Sequence, residues 1–278
     1  MGRDCAMHRA AMKNVFLGTL LAGAAVSATA QDFPGRPLRL VVPFAVGGTS
    51  DILARLVAPK MWEALGQPVV ADNRPGAGSI VGNEIVAKAN PDGYTLLLAT
   101  PAVASNPALY GKLRYDPVRE LAPVTLLAEI PVILVVHPSL PVRSAKELVA
   151  LARAQPGKLN FGSSGNGGIG HLVGELFKST AGVQMVHVPY KGGGPAVADV
   201  VAGRIQIAFL GVSAYRSQLE AGNLKVLAVA APNRMQSIPN VPTARETGTP
   251  FEFNTWFGLV TARGTPPEVI NLLNRQVK

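Results

Sequence analysis

Cysteine is almost absent from this 278-residue chain: Cys5 is the only one. A disulfide framework and a cysteine-type zinc site are therefore both excluded. Histidine is also scarce, at His8, His137, His171 and His187, with no H-E-x-x-H or similar ligand spacing. No metal or other cofactor is expected. Charged residues make up only 15% of the chain, and no two of the 26 Lys and Arg are adjacent. The formal charge of +9 is thus spread out, which argues against a nucleic-acid patch. A scattered basic excess still favours small anions at long range. Long apolar runs are missing after the first thirty residues, so no later segment can span a bilayer without a charge or proline. Apolar residues are plentiful at 48%, enough for sizeable cores.

The start of the chain has the character of a leader, not of a fold. Met12-Lys13-Asn14 supplies a short positive start, Val15 to Val26 is apolar, and Ala28-Thr29-Ala30 fits the A-x-A cleavage pattern. Residues 1–30 read as a secretory signal peptide cut before Gln31, with Met1 to Ala11 as an upstream over-extension of the start. Export to the periplasm follows. That compartment lacks ATP and NAD pools, which lowers the case for a cofactor-dependent enzyme.

Beyond the leader, short β-type runs alternate with helical periods. Leu38–Pro43, Pro68–Ala71, Tyr94–Ala99, Pro131–His137, Leu159–Phe161, Met185–Pro189, Gln206–Leu210 and Lys225–Ala230 read as strands. Ser50–Leu65, Ile80–Ala89, Gly170–Ala181 and Pro195–Ala202 read as helices. Ser144 with Glu147 forms a capping box for another, and Pro266-Pro267 opens the last. Such alternation implies an α/β fold with mostly parallel sheets. The pattern echoes itself. Phe44–Gly48 and Asn73–Gly78 follow strands in the first half; Gly162–Gly168 and Tyr190–Gly194 do so in the second. Two α/β units with matched glycine loops imply two lobes facing a cleft, where ligands meet the carboxyl ends of strands.

A glycine-rich turn opening a helix presents free backbone N–H groups at the positive end of a dipole, which suits a carboxylate or phosphate. Gly47, Gly48, Thr49 and Ser50 fit that use, with Asp51 placed to fix the loop. Residues 165–170 match G-x-G-x-x-G, but the next strand (Met185–Tyr190) offers no acid, so dinucleotide binding is disfavoured. G-K-[ST] and G-x-S-x-G are both missing. Small-anion binding by Ser163, Ser164 and backbone amides fits better. A serine hydrolase using Ser163 or Ser164 with His171 is an open alternative, as is a sensor or signalling module. His187 reads as structural, Lys191 as either an anion partner or an exposed loop residue, Arg74 as one half of an ion pair. Trp62 and Trp256 are expected in the core or the cleft wall.

Taken together, the leader, LRLVVPFAVGGTSDILARLVA, ADNRPGAGSIVGNEIVAKANPDGYTLLLAT, LNFGSSGNGGIGHLVGELFKSTAGVQMVHVPYKGGGPAVADVVAGRIQIAF, LKVLAVAAPNR and NVPTARETG with TWFGLVTARGTP closely resemble the Bug family. These are extracytoplasmic solute receptors of tripartite tricarboxylate transporters. The resemblance implies a two-lobed, Venus-flytrap binding protein of type II, acting without catalysis. Lobe one would take residues 31–130 and 232–278, and lobe two residues 131–231. A small carboxylate would be gripped between the lobes and passed to membrane transporter subunits, with the receptor itself a monomer. Carried onto this sequence, the gripping residues would be Phe44, Gly47, Gly48, Thr49, Asp51, Thr100 and Ser105 from lobe one. Lobe two would add Ser163, Ser164, Gly165, Asn166, Gly167, His171, Tyr190, Lys191, Gly192 and Gly193. Two departures stand out. Leu210-Gly211 occupy a place where members often carry Asp and Asn, which points to a less polar ligand tail. The chain also stops at Lys278 inside a helix that members extend, so lobe one is expected to lack its closing elements.

Overall fold

The computed structural model describes residues 33–249 and 251–277, and the expected leader at 1–30 lies outside them. Its centre is built from strands that are apolar along most of their length. Such strands are buried on both faces and demand cover from both sides. Strand β1 (Leu38–Val42) is the first, paired in parallel with β2 (Val69–Asn73) and β3 (Thr95–Ala99). Each of the three feeds a helix: α1 (Thr49–Leu65), α2 (Ile80–Ala87) after a short 3₁₀ turn, and α3 (Ala102–Tyr110). Gly66 ends α1 in the left-handed region, φ 71°, and donates its N–H to the Trp62 carbonyl.

The second half repeats the scheme. Helix α4 (Ala145–Ala154) starts where Ser144 accepts from the Glu147 amide, half of the expected capping box; the Glu147 carboxylate reaches back to the Arg143 amide. Strand β5 (Asn160–Ser163) leads to α5 (Ile169–Ala181), and β6 (Val186–Pro189) to α6 (Gly193–Val201). Strands β5 and β6 pair in parallel, and β5 pairs in parallel with β7 (Ile207–Gly211). A short helix α7 (Arg216–Glu220), strand β8 (Lys225–Val229), strand β9 (Asn254–Ala262) and helix α8 (Pro267–Val277) complete the described chain.

One long strand joins the two halves. In β4 (Leu121–Val136), Leu121 to Pro131 pair with β9, while Val132 to Val136 pair with β7 on one side and β8 on the other. The resulting order is β2-β1-β3-β9-β4-β7-β5-β6, with β8 also on β4. The expectation of mostly parallel sheets therefore needs correction: the outer pairings are parallel, and the four made by β4 and β9 are antiparallel. The cause is topological. Strands that run from one half to the other and back must oppose each other and their neighbours. The first part of β4 was not legible because Pro123 lacks a ladder donor; the strand takes a register shift between Pro123 and Thr125.

Successive residues of β4 serve opposite cores. Val132, Leu134 and Val136 pack with Phe161, Phe177, Phe209 and Phe251, while Ile133 and Val135 pack with Tyr215 and Leu224. In the first half, Val41, Leu97 and Ala99 meet Val86, Tyr115 and Leu121. Trp256 packs partly buried against this group, but Trp62 is 54% exposed on the outer side of α1, contrary to its expected place. Phe209 lies fully buried between three aromatic rings, at centroid distances of 5.6 Å to Phe177 and 6.0 Å to Phe161 and Phe251. Phe209→Ala should cost about 3–5 kcal/mol, read as a lower urea midpoint at unchanged slope.

Candidate functional site

Both halves of the sheet contribute to one small cavity of about 40 Å³, which opens to solvent. Its walls are Phe44, Gly48, Thr49, Ser50, Thr100, Ser164, Ile169, Gly193, Leu210, Gly211, Thr255 and Phe257. No ionisable side chain lines it. What it has instead is helix starts. Gly48 caps α1, Thr100 precedes α3, Ile169 begins α5 and Gly193 begins α6. The N-terminal ends of four helices, the positive ends of their dipoles, thus border one space. Two wall hydroxyls, Thr49 Oγ1 and Thr255 Oγ1, are buried without a hydrogen-bond partner among the described residues. Buried polar atoms are normally paired, so these two are free to meet a guest.

The loops are held from behind. Asp51 is 4% exposed; its carboxylate accepts from the Gly47 amide at 3.0 Å and pairs with Arg55 at 3.1 Å. Burial alone would push this carboxyl up, but the Arg55 and Gly47 hydrogen bonds outweigh it, so it lies below its ordinary value. Asp51 therefore fixes the loop as the sequence implied, and does not face the cavity. Asn73 adds a bond from Nδ2 to the Phe44 carbonyl at 3.0 Å, and Arg74 pairs with Asp72. The turn before α2 is strained: Ala77 and Ser79 hold positive φ of 45° and 83°. A buried network offsets this, in which Asn83 and Asn106 both donate to Ser79 Oγ and Asn106 also donates to the Gly78 carbonyl.

Six of the expected site residues line the cavity: Phe44, Gly48, Thr49, Thr100, Ser164 and Gly193. Gly165, Asn166, Tyr190 and Lys191 instead line an adjoining cavity, which shares Phe44 and Ser164. Tyr190 turns its hydroxyl away, donating to Asp199 at 2.6 Å; burial and that bond push its pKa up to about 12. The remaining residues fasten loop to loop. The Ala45 amide donates to the Lys191 carbonyl at 2.9 Å, and Ser105 Oγ donates to the Gly167 carbonyl at 3.0 Å. Gly192 lies so close to Ala45 that a Cβ would come within 2.7 Å of its nitrogen. Ser50 and the Leu210-Gly211 pair also line the first cavity, as their places in the sequence implied, whereas Ile169, Thr255 and Phe257 were not anticipated. Thr255 and Phe257 alternate on one face of β9, a period-two signal that was available but lay far along the chain from every glycine loop.

Comparison with known proteins decides the family. Residues 53–278 match the family model described as Tripartite tricarboxylate transporter family receptor. The chain belongs to this receptor family. It is 37% identical to Protein BugT of Bordetella pertussis over 270 residues, 96% of this chain and 82% of that protein. It is 40% identical to a protein from the tcbD-tcbE intergenic region of Pseudomonas sp. strain P51, over 95% of this chain and 80% of the relative. Among solved structures, an R. palustris protein with adipate shares 41% identity at a TM-score of 0.86, covering 88% of this chain and 83% of that one. MatC from Rhodopseudomonas palustris with bound malate shares 35% identity at 0.85, covering 88% and 84%. The α/β periplasmic-binding-protein fold follows from these likenesses.

In this receptor the second-half loop rests on His171 and on His187, the latter structural as the sequence implied. His171 does not pair with Ser163; its Nδ1 accepts from the Gly167 amide at 3.1 Å. Ser163 Oγ lies 2.6 Å from His187 Nε2 and is fully buried, away from the cavity. Of the serine–histidine pairs that the hydrolase alternative called on, neither Ser163 nor Ser164 hydrogen-bonds His171 among the described residues, although Ser164 lines the cavity. His187 stacks on His171 at 4.2 Å and on Phe161 at 5.0 Å. Burial, with His171 beside it, lowers His187 to about 4, and burial also lowers His171. The folded chain thus favours neutral imidazole, while the unfolded chain takes up protons first as pH falls. Stability should be fully present above about pH 6.5 and fall away toward pH 4, lowering the melting temperature by roughly 3–6 °C. His187→Gln should flatten that part of the curve; a slope unchanged from the parent would refute the assignment.

Proposed function

We propose that this chain is an exported receptor which captures a small carboxylate between two lobes and delivers it to a tripartite tricarboxylate-type membrane transporter. The observation that carries this reading is the meeting of four helix starts at a cavity with no ionisable side chain in its walls. Such a site attracts an anion by fixed dipoles and amides, with no ionisable side chain in its wall. Relatives solved with adipate and with malate support a carboxylate guest. Lobe one comprises residues 31–130 and 232–278, lobe two 131–231, and β4 with β9 forms the link on which they turn. Residues 1–30 serve as the leader that takes the chain to the periplasm, cut after Ala30.

In this mechanism the open form exposes the loop amides and hydroxyls. The acid seats its head among them, and the second lobe closes over it. Closure excludes water, which strengthens each charge-assisted hydrogen bond, worth about 1.5–3 kcal/mol. A few such bonds with apolar burial reach micromolar affinity, near −8 kcal/mol. Ordinary titration calorimetry of the exported chain against aliphatic, aromatic, hydroxy- and amino-acids should find at least one micromolar partner. A flat response to all of them would refute the reading.

Closure itself has a clean test. A Cβ at Gly194 would collide with the Val46 carbonyl oxygen of the facing loop. Gly194 lies in the first turn of α6 with no positive φ, so alanine there suits its own helix. Gly194→Ala should keep the melting temperature and weaken binding by about tenfold or more, since about 1.4 kcal/mol of lost closure is enough. Unchanged affinity would mean the lobes do not need this approach.

A further inference from the structure

We infer that the cavity is built for a monocarboxylate with an apolar tail, not for a di- or tricarboxylate. The inference rests on the receptor reading above and narrows its substrate class. The head of the guest has a candidate place: Thr255, 1% exposed, and Thr49 at the start of α1 both belong to the cavity wall and carry buried hydroxyls without a hydrogen-bond partner among the described residues. These join the free amides of the helix starts in satisfying one carboxylate. The rest of the wall is different in kind. Phe44, Leu210 and Phe257 are buried to 6%, 5% and 3% exposure, and Ile169 stands beside them. Leu210 closes the second-half side; a Cβ on Gly193 would sit 3.6 Å from its Cδ1.

A second carboxylate enclosed here would lose its water and meet no cation. Burying an uncompensated charge is far costlier than burying a methyl group. Cations near by are elsewhere engaged or outside. Arg55 is paired with Asp51 behind the loop, and Lys191 is exposed on the adjoining cavity. A tail of methylenes or an aromatic ring, by contrast, gains from every wall it touches. The apolar wall therefore selects by exclusion as well as attraction.

The test uses ligand pairs that differ by one terminal carboxylate: hexanoate against adipate, and benzoate against terephthalate, titrated by calorimetry into the exported chain at pH 7.5. The monoacid of each pair should bind at least tenfold tighter. Equal or tighter binding of a diacid would overturn this inference while leaving the receptor reading intact. Failure of these four and of malate, citrate, amino acids and hydroxy-acids alike would sink the receptor reading, and this inference with it. Leu210→Asn supplies a second arm. It should weaken hexanoate at least tenfold in a chain whose circular dichroism is unaltered; unaltered affinity in that folded chain would overturn the role of Leu210. Should the variant not fold, the ligand pairs on the parent chain decide alone.

Discussion

A backbone amide at the first turn of a helix has no partner within that helix, and this single deficit organises the molecule. It costs free energy if buried unmet, and it attracts an anion if left facing a cavity. Four helices are set so that their deficits meet in one place. Everything around that place serves to hold the amides still: Asp51 beneath the first loop, Asn73 on the Phe44 carbonyl, and His171 on the Gly167 amide. The wall itself carries no ionisable side chain. The acid that is buried near the cavity, Asp51, is spent on the loop itself.

Glycine is the second half of the same constraint. Amides can face a common guest only if two backbones approach closely. At Gly48, a Cβ would lie 3.0 Å from the Gly193 nitrogen, and at Gly78 it would collide with the Asn166 carbonyl oxygen. These glycines are needed for nearness across the cleft, and Gly78, at φ 62°, for its backbone conformation as well. The two halves are linked by strand β4, whose pairing with β9 shifts register near Pro123 and Leu126.

The histidines show how a second layer is built from residues whose role depends on burial. His187 sits in a strand with both neighbours apolar, and in isolation would titrate near its ordinary value. Packed between His171 and Phe161, it is kept neutral and can support Ser163, which in turn bonds both the amide and the carbonyl of Gly165. The loop shape is thus tied to the protonation state of a group that never touches the cavity. The cavity wall combines hydroxyl-bearing side chains with apolar ones.

Local pattern determined much of this chain. Apolar runs marked all but one of the nine strands among the described residues, the glycine loops marked the helix starts, and six of the cavity's residues were named from those loops. Asp51 as a loop staple and Arg74 as an ion-pair partner also followed from neighbours only a few positions away. What required the tertiary structure was every relation that spans the chain. Strand β9 and the first part of β4 pair antiparallel across more than a hundred residues, and bring Thr255 and Phe257 to loops that precede them by most of the sequence. Trp62 turned outward and Tyr190 turned to Asp199 because neighbours from other elements decide which way a side chain faces. The reason is general: periodicity and turn chemistry act within a few residues, whereas burial, pairing and pKa arise from atoms that meet only after the chain has folded.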